Sequence, residues 1–101
     1  NMKVDINKVN DETIVVIEGR LDTVTAPELD KDLKPLYAEN GIKVVLDCQA
    51  LDYVSSSGLR VILTAYKMLA AKGNKFALRG LKPEVRSVFD LTGFSRILTI
   101  E

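Results

Sequence analysis

Short runs of β-branched and aliphatic residues alternate along this chain with segments whose apolar positions recur every three to four residues. That alternation restricts the fold more than any other feature of the sequence. KVDIN (3–7) places Val4 and Ile6 on one side of a half-exposed strand. Asn10-Asp11 signals a turn, and TIVVIEG (13–19) follows with Ile14 to Ile17 continuously apolar, the pattern of a strand buried on both faces. The two runs form an antiparallel hairpin. IKVVLD (42–47), KFALRG (75–80) and RILTI (96–100) supply three more strands. The order is β-β-α-β-α-β-α-β, which implies an α/β domain with about five strands in a mixed, mostly parallel sheet and right-handed crossovers.

The helical segments carry their own punctuation. Thr25-Ala26-Pro27-Glu28 fits a capping box, with a Thr hydroxyl for the first turn and a Glu three residues on. Leu29, Leu33, Leu36 and Tyr37 make the first stripe, Pro35 predicts a kink or an early end, and Asn40-Gly41 closes the segment. Leu59, Ile62, Leu63, Tyr66, Leu69 and Ala70 make the clearest stripe in the chain, ended by Gly73-Asn74. Pro83 opens a third helix with Val85, Val88, Phe89 and Leu91 directed inward, and Gly93 ends it.

Composition narrows the chemistry. A length of 101 residues predicts one domain, 1–101, and Asn1 before Met2 reads as an expression-tag remnant. Basic and acidic residues number 14 each, so there is no electrostatic case for nucleic acid or an anionic membrane. No apolar run approaches the length of a membrane span, and no membrane insertion is expected. Without histidine, triads built on that residue and most zinc sites are excluded. The single Cys48 ends an apolar strand and reads as a plain buried thiol, consistent with a reducing cytoplasm. A small enzyme or nucleotide binder is disfavoured for the same reasons and because no phosphate-cradling glycine loop exists; no cofactor is expected.

In a parallel sheet, the loops after the strands converge on one edge. Those loops are 19–25, 48–56 and 79–82, so Asp22, the serine run and the Gly80 turn are expected to be neighbours. The serine run, LDYVSSSGLRVIL (51–63), is the most loaded stretch. Ser55 or Ser56 caps the following helix. Ser57 lies within the first turn and is not needed as a cap. Gly58 lets another backbone or a phosphate approach closely, and the helix N-terminus favours an anion. Arg60 opposes the helix dipole from the first turn, either as a solvated side chain or as a partner contact or phosphate counter-charge. Val61, Ala65 and Met68 lie off the inward stripe and either form a docking strip or widen the buried face. Asp22 either bonds the N–H groups of its own loop or orients a hydroxyl or partner; with no second acid beside it, it is not assigned as a general base.

IEGRLDTVTAPEL, VVLDCQALDYVSSSGLRVIL and GLKPEVRSVFDLTGFSRILTI together resemble the STAS domain family of bacterial anti-sigma factor antagonists over essentially the whole chain. The resemblance implies a small sheet with helices packed mainly on one face. It implies a non-enzymatic partner switch: the unphosphorylated antagonist binds an anti-sigma factor that is also a serine kinase of the histidine-kinase-like ATPase type, and frees a sigma factor. The kinase then phosphorylates the antagonist and a serine phosphatase resets it. The acceptor falls on Ser57, with Ser56 as second choice, and the family's first-loop acid falls on Asp22. Ser55 stands where many antagonists carry Asp. The expected partner-binding set is Asp22, Thr23, Ser55, Ser56, Ser57, Gly58, Arg60 and Val61. The same fold without the switch would serve as an accessory subunit of a membrane transporter, such as a lipid ABC system, or of a stress-signalling complex.

Overall fold

The computed structural model describes residues 1–101. Strands β1 (Met2–Val9) and β2 (Glu12–Leu21) form the expected hairpin around Asn10, whose φ of 57° gives the tight turn its left-handed step. Helix α1 (Ala26–Leu33), strand β3 (Lys43–Val54), helix α2 (Ser56–Ala71), strand β4 (Lys75–Arg79), helix α3 (Pro83–Thr92) and strand β5 (Thr99–Ile100) follow. The sheet order is β1-β2-β3-β4-β5, antiparallel only at β1–β2. Pro35 acts as expected: α1 ends at Leu33, and the tighter 3₁₀ turn Lys34–Ala38 replaces its continuation.

The helices cover one face of the sheet. Val15, Ile17, Val44, Leu46, Cys48, Phe76 and Leu78 point into a single core with Leu29, Leu33, Ile62, Ala65, Leu69, Val85 and Phe89. The run 14–17 is therefore not uniformly buried. Val15 and Ile17 are sealed, whereas Ile14 and Val16 are half-buried on the helix-free face. Two other expectations change. Leu91 is 89% exposed, because α3 meets the core through Val85 and Phe89, with Val88 partly buried against it. RILTI yields only the two-residue β5, since Phe94–Arg96 forms a 3₁₀ turn first.

The helix-free face is closed by charge. By register, Glu12 sits opposite Lys43 on adjacent strands, and Arg79 reaches back across β3 from β4. Arg79 meets Glu12 at 3.0 Å and Glu101 at 2.8 Å; Lys43 meets Glu101 at 2.7 Å and Glu12 at 3.2 Å. This balanced group of two acids and two bases spans β2 to the end of the chain over Val45 and Ala77, which are buried although no helix covers them.

β3 departs most from expectation. It continues through Val54 rather than ending at Asp47, and beyond Asp47 it pairs with β2 alone, since Arg79 opposite Asp47 is the last residue of β4. The pairing reaches Leu21↔Val54 through two register shifts. Residues 48–54 are thus an arm of the sheet, not a loop. The arm carries the serines away from the Gly80 turn, which lies against Gln49 instead.

The Glu12 and Glu101 carboxylates are held below the ordinary glutamate range, Glu12 chiefly by its hydrogen bond from Arg79 and Glu101 chiefly by that from Lys43. A lowered folded-state value means a contribution present at neutral pH and lost as pH falls below the ordinary value of about 4.3. Glu12→Gln with Glu101→Gln is expected to lower the melting temperature at neutral pH and to flatten its fall on acidification. Thermal unfolding across that range measures both; parallel acid limbs in the two proteins would remove the network from the account.

Candidate functional site

The end of β2 and the start of α2 are joined at Leu21. Its carbonyl accepts the Ser55 N–H at 2.8 Å. Its side chain fills the space beside Gly58: a Cβ there would lie 2.6 Å from Leu21 Cγ and 3.0 Å from Leu21 O. Gly58 is buried. It lets the helix approach the strand end, so it supports the expected site from beneath rather than presenting a surface to a partner.

The three serines divide. Ser55 is the cap: its Oγ accepts the Gly58 N–H at 3.2 Å and its carbonyl accepts the Leu59 N–H. Ser56 begins the helix and is exposed. Ser57, half-buried, takes no part in the cap, and its Oγ lies 3.5 Å from Thr23 Oγ1, with either atom able to donate.

Thr23 reaches that position because Asp22 organises the loop. Asp22 Oδ1 accepts the N–H groups of Val24 and Thr25, both at 3.0 Å. The Thr25 N–H bond is the chief cause holding this carboxyl below the usual aspartate range. The Thr25 hydroxyl donates to the Arg20 carbonyl at 2.7 Å and accepts the Asp22 N–H at 2.8 Å. The expected capping box is therefore absent: Thr25 makes no side-chain cap bond, because its hydroxyl is turned back into the loop. Arg20, whose Nε is 3.9 Å from Asp22 Oδ2, stacks over the Tyr53 ring at 4.1 Å. Of the two roles left open for Asp22, the geometry shows the loop-organising one; the residue facing Ser57 is Thr23.

Ser57, Thr23, Ala26, Pro27, Asp30, Arg60 and Val61 line an open depression of about 290 Å³ between α1 and α2. Asp30, Arg60 and Val61 also line a longer groove of about 740 Å³ that runs past Lys34, Tyr37 and Thr64 to Met68. The off-stripe residues of α2 part company here. Ala65 is fully buried in the core, Val61 is half-buried on the groove wall, and Met68 is 47% exposed at its far end. Ala70, placed inward by spacing, is exposed. Arg60 falls one residue beyond the first turn, Ser56 to Leu59, so its conflict with the dipole is weaker than expected. The groove includes a residue the sequence signals missed: the Tyr37 hydroxyl is buried without a hydrogen-bond partner, and burial pushes it up to about 12, with Asp30 adding to the shift. A tyrosine at a stripe position carries no signal for that.

The remaining candidates are inert. Cys48 is buried, and desolvation pushes its thiol up to about 12, which suits a packing residue and not a nucleophile. No group of three or more His, Cys, Asp or Glu side chains is placed to hold a metal ion, and no helix is long and apolar enough to cross a membrane.

The sheet with its helices on one face and the serine-bearing start of α2 define a small α/β domain of one recognisable family. The STAS domain pattern matches residues 3–101, and the chain belongs to the STAS domain family. It is 35% identical over 99 residues to the protein BtrV of Bordetella bronchiseptica, a match covering 98% of this chain and 85% of BtrV. It is 32% identical over 100 residues to the anti-sigma-B factor antagonist of Bacillus subtilis, covering 99% of this chain and 91% of that one. The crystal structure of an anti-sigma factor antagonist from Mycobacterium paratuberculosis shares the fold, with a TM-score of 0.89 at 23% identity, covering 99% of this chain and 85% of that one.

The division of the serines has a direct test in urea unfolding. Ser55→Ala is expected to cost about 1 kcal/mol, as loss of a helix cap does. Ser56→Ala is expected to stay within about 0.5 kcal/mol of the parent. Gly58→Ala is expected to cost about 1–3 kcal/mol through overpacking against Leu21. Equal losses at Ser55 and Ser56 would move the cap.

Proposed function

We propose that this protein is an anti-sigma factor antagonist whose unphosphorylated form binds an anti-sigma factor serine kinase, and that phosphorylation of Ser57 ends the complex. The observation that carries this is the position of the Ser57 hydroxyl. It lies at the start of α2, outside the cap that Ser55 provides, and faces an open depression with Thr23 as its only side-chain hydrogen-bond neighbour. The family relationship and the antagonist relatives support the same reading.

The chemistry requires little of this chain. Ser57 Oγ attacks the γ-phosphorus of ATP held by the kinase, an O–P bond forms, and the bond to the β-phosphate bridging oxygen breaks, leaving ADP. The serine proton passes to a base on the kinase, because this chain has no histidine and Asp22 is committed to its loop. The phosphate carries about −1.5 to −2 charges and sits at the positive end of a helix, where it is tolerated. It therefore acts on docking rather than by unfolding the domain. A serine phosphatase resets it by hydrolysis. The surface around Ser57, formed by Thr23, Ser56, Arg60 and Val61 with Ser55 and Gly58 as support, is the one the kinase meets.

Incubation with the cognate kinase and ATP is expected to add one phosphate by mass spectrometry. Ser57→Ala is expected to abolish it, Ser56→Ala to leave it, and Ser57→Asp to weaken the complex by tenfold or more, about 1.4 kcal/mol. Undiminished phosphorylation of Ser57→Ala would reassign the acceptor. Recovery from the host of an ABC-type ATPase with no kinase would favour the transporter-subunit role.

A further inference from the structure

The depression around Ser57 contains one cation, Arg60. Of the cations elsewhere, Arg20 faces Asp22, Lys34 lies 3.5 Å from Asp30 and Lys82 is paired with Asp52, while Lys31, next to Asp30 on α1, is unpaired but does not line the depression. Arg60 is exposed and enters no ion pair or side-chain hydrogen bond. It lies three residues after Ser57, so both side chains stand on one helix face with Cβ atoms about 5–6 Å apart. The same side chain lines the longer groove beside Tyr37, Thr64 and Met68. It therefore borders two spaces and can occupy one of them at a time.

We propose that Arg60 is the internal counter-charge for a phosphate on Ser57, and that phosphorylation draws its guanidinium out of the α1–α2 groove and onto the phosphate. The inference rests on Ser57 being the acceptor. A phosphoserine presents three acceptor oxygens, and a guanidinium matches two of them with parallel N–H donors. The helix N-terminus satisfies the phosphate from the other side. Asp30 on α1 is the acid lining the depression; it opposes the phosphate and is itself balanced by Lys34. Phosphorylation thus makes two changes on one surface. A dianion arises at Ser57, and a cation leaves the groove, so a partner that sets an acidic side chain against Arg60 loses that contact as well as meeting the new charge.

The test needs no kinase: phosphoserine is incorporated at position 57 during translation, and the phosphate is titrated by ³¹P NMR. In the otherwise wild-type protein it is expected to titrate about 0.2–0.7 pH units lower than in Arg60→Gln, the size an exposed ion pair produces. The gap is expected to shrink in high salt, Arg60→Lys to keep part of it, and Lys34→Gln to leave it in place. The Arg60 Nε–H resonance is expected to move on phosphorylation. Coincident titrations in wild type and Arg60→Gln would overturn the proposal, as would an equal effect of Lys34→Gln. Either result leaves Ser57 as acceptor untouched, and failure of a kinase to modify Ser57 leaves the titration standing.

Discussion

The contact between Leu21 and Gly58 holds the site together. Leu21 is the last residue of β2 and is completely buried. It pairs with Val54, the last residue of β3, gives its carbonyl to the first residue after β3, and packs its side chain where α2 has none. Two strand ends and a helix start are thereby tied at one residue. Because β2 and β3 are parallel and paired to their final residues, the loops that follow emerge side by side. Thr23 and Ser57 meet across 34 residues of chain for that reason, and a side chain at position 58 would separate them.

Element order was legible because each segment buries one face. Period-two and period-3.6 patterns persisted wherever a strand or helix packed regularly, and the proline and glycine signals at 35, 83 and 93 acted where they stood. The β3 arm was not legible because it breaks that regularity. Its buried residues Cys48, Leu51 and Val54 recur every three positions, and its register against β2 slips between Val16 and Glu18 and again between Gly19 and Arg20. A bulged strand leaves no alternation to find. The convergence of loops therefore holds for Thr23 and Ser57, while the Gly80 turn meets the early part of the arm, at Gln49 and through Lys82 at Asp52, since β4 stops where the arm begins.

The site was legible as a set of residues and less so as a set of roles. Asp22 and Thr25 both offer an oxygen to orphan N–H groups, and composition cannot say which one serves the helix and which the loop. In the structure both serve the loop: Asp22 Oδ1 accepts the Val24 and Thr25 N–H groups, the Thr25 hydroxyl is held by the Arg20 carbonyl and the Asp22 N–H, and neither side chain caps α1. Ser55 and Ser56 were equivalent by the same logic. The extended backbone at Ser55, with φ −92° and ψ 173°, decides between them, as a cap must sit outside helical geometry while its oxygen reaches inward. Gly58 was singled out for the right property, close approach, but the group that approaches is Leu21, from within.

The distribution of charge bears on how the fold would accommodate the modification proposed at Ser57. The four-residue network of Glu12, Lys43, Arg79 and Glu101 lies on the helix-free face, and the core cluster holds no charged side chain. Ser57 lies between α1 and α2, on the other side of the sheet, at an open depression. A dianion added there, as proposed, would meet amide dipoles, solvent and Arg60, away from the charged network on the helix-free face. On the proposed reading, a phosphate on Ser57 would leave its effect on the outer surface of α1 and α2, where a docked partner would meet it.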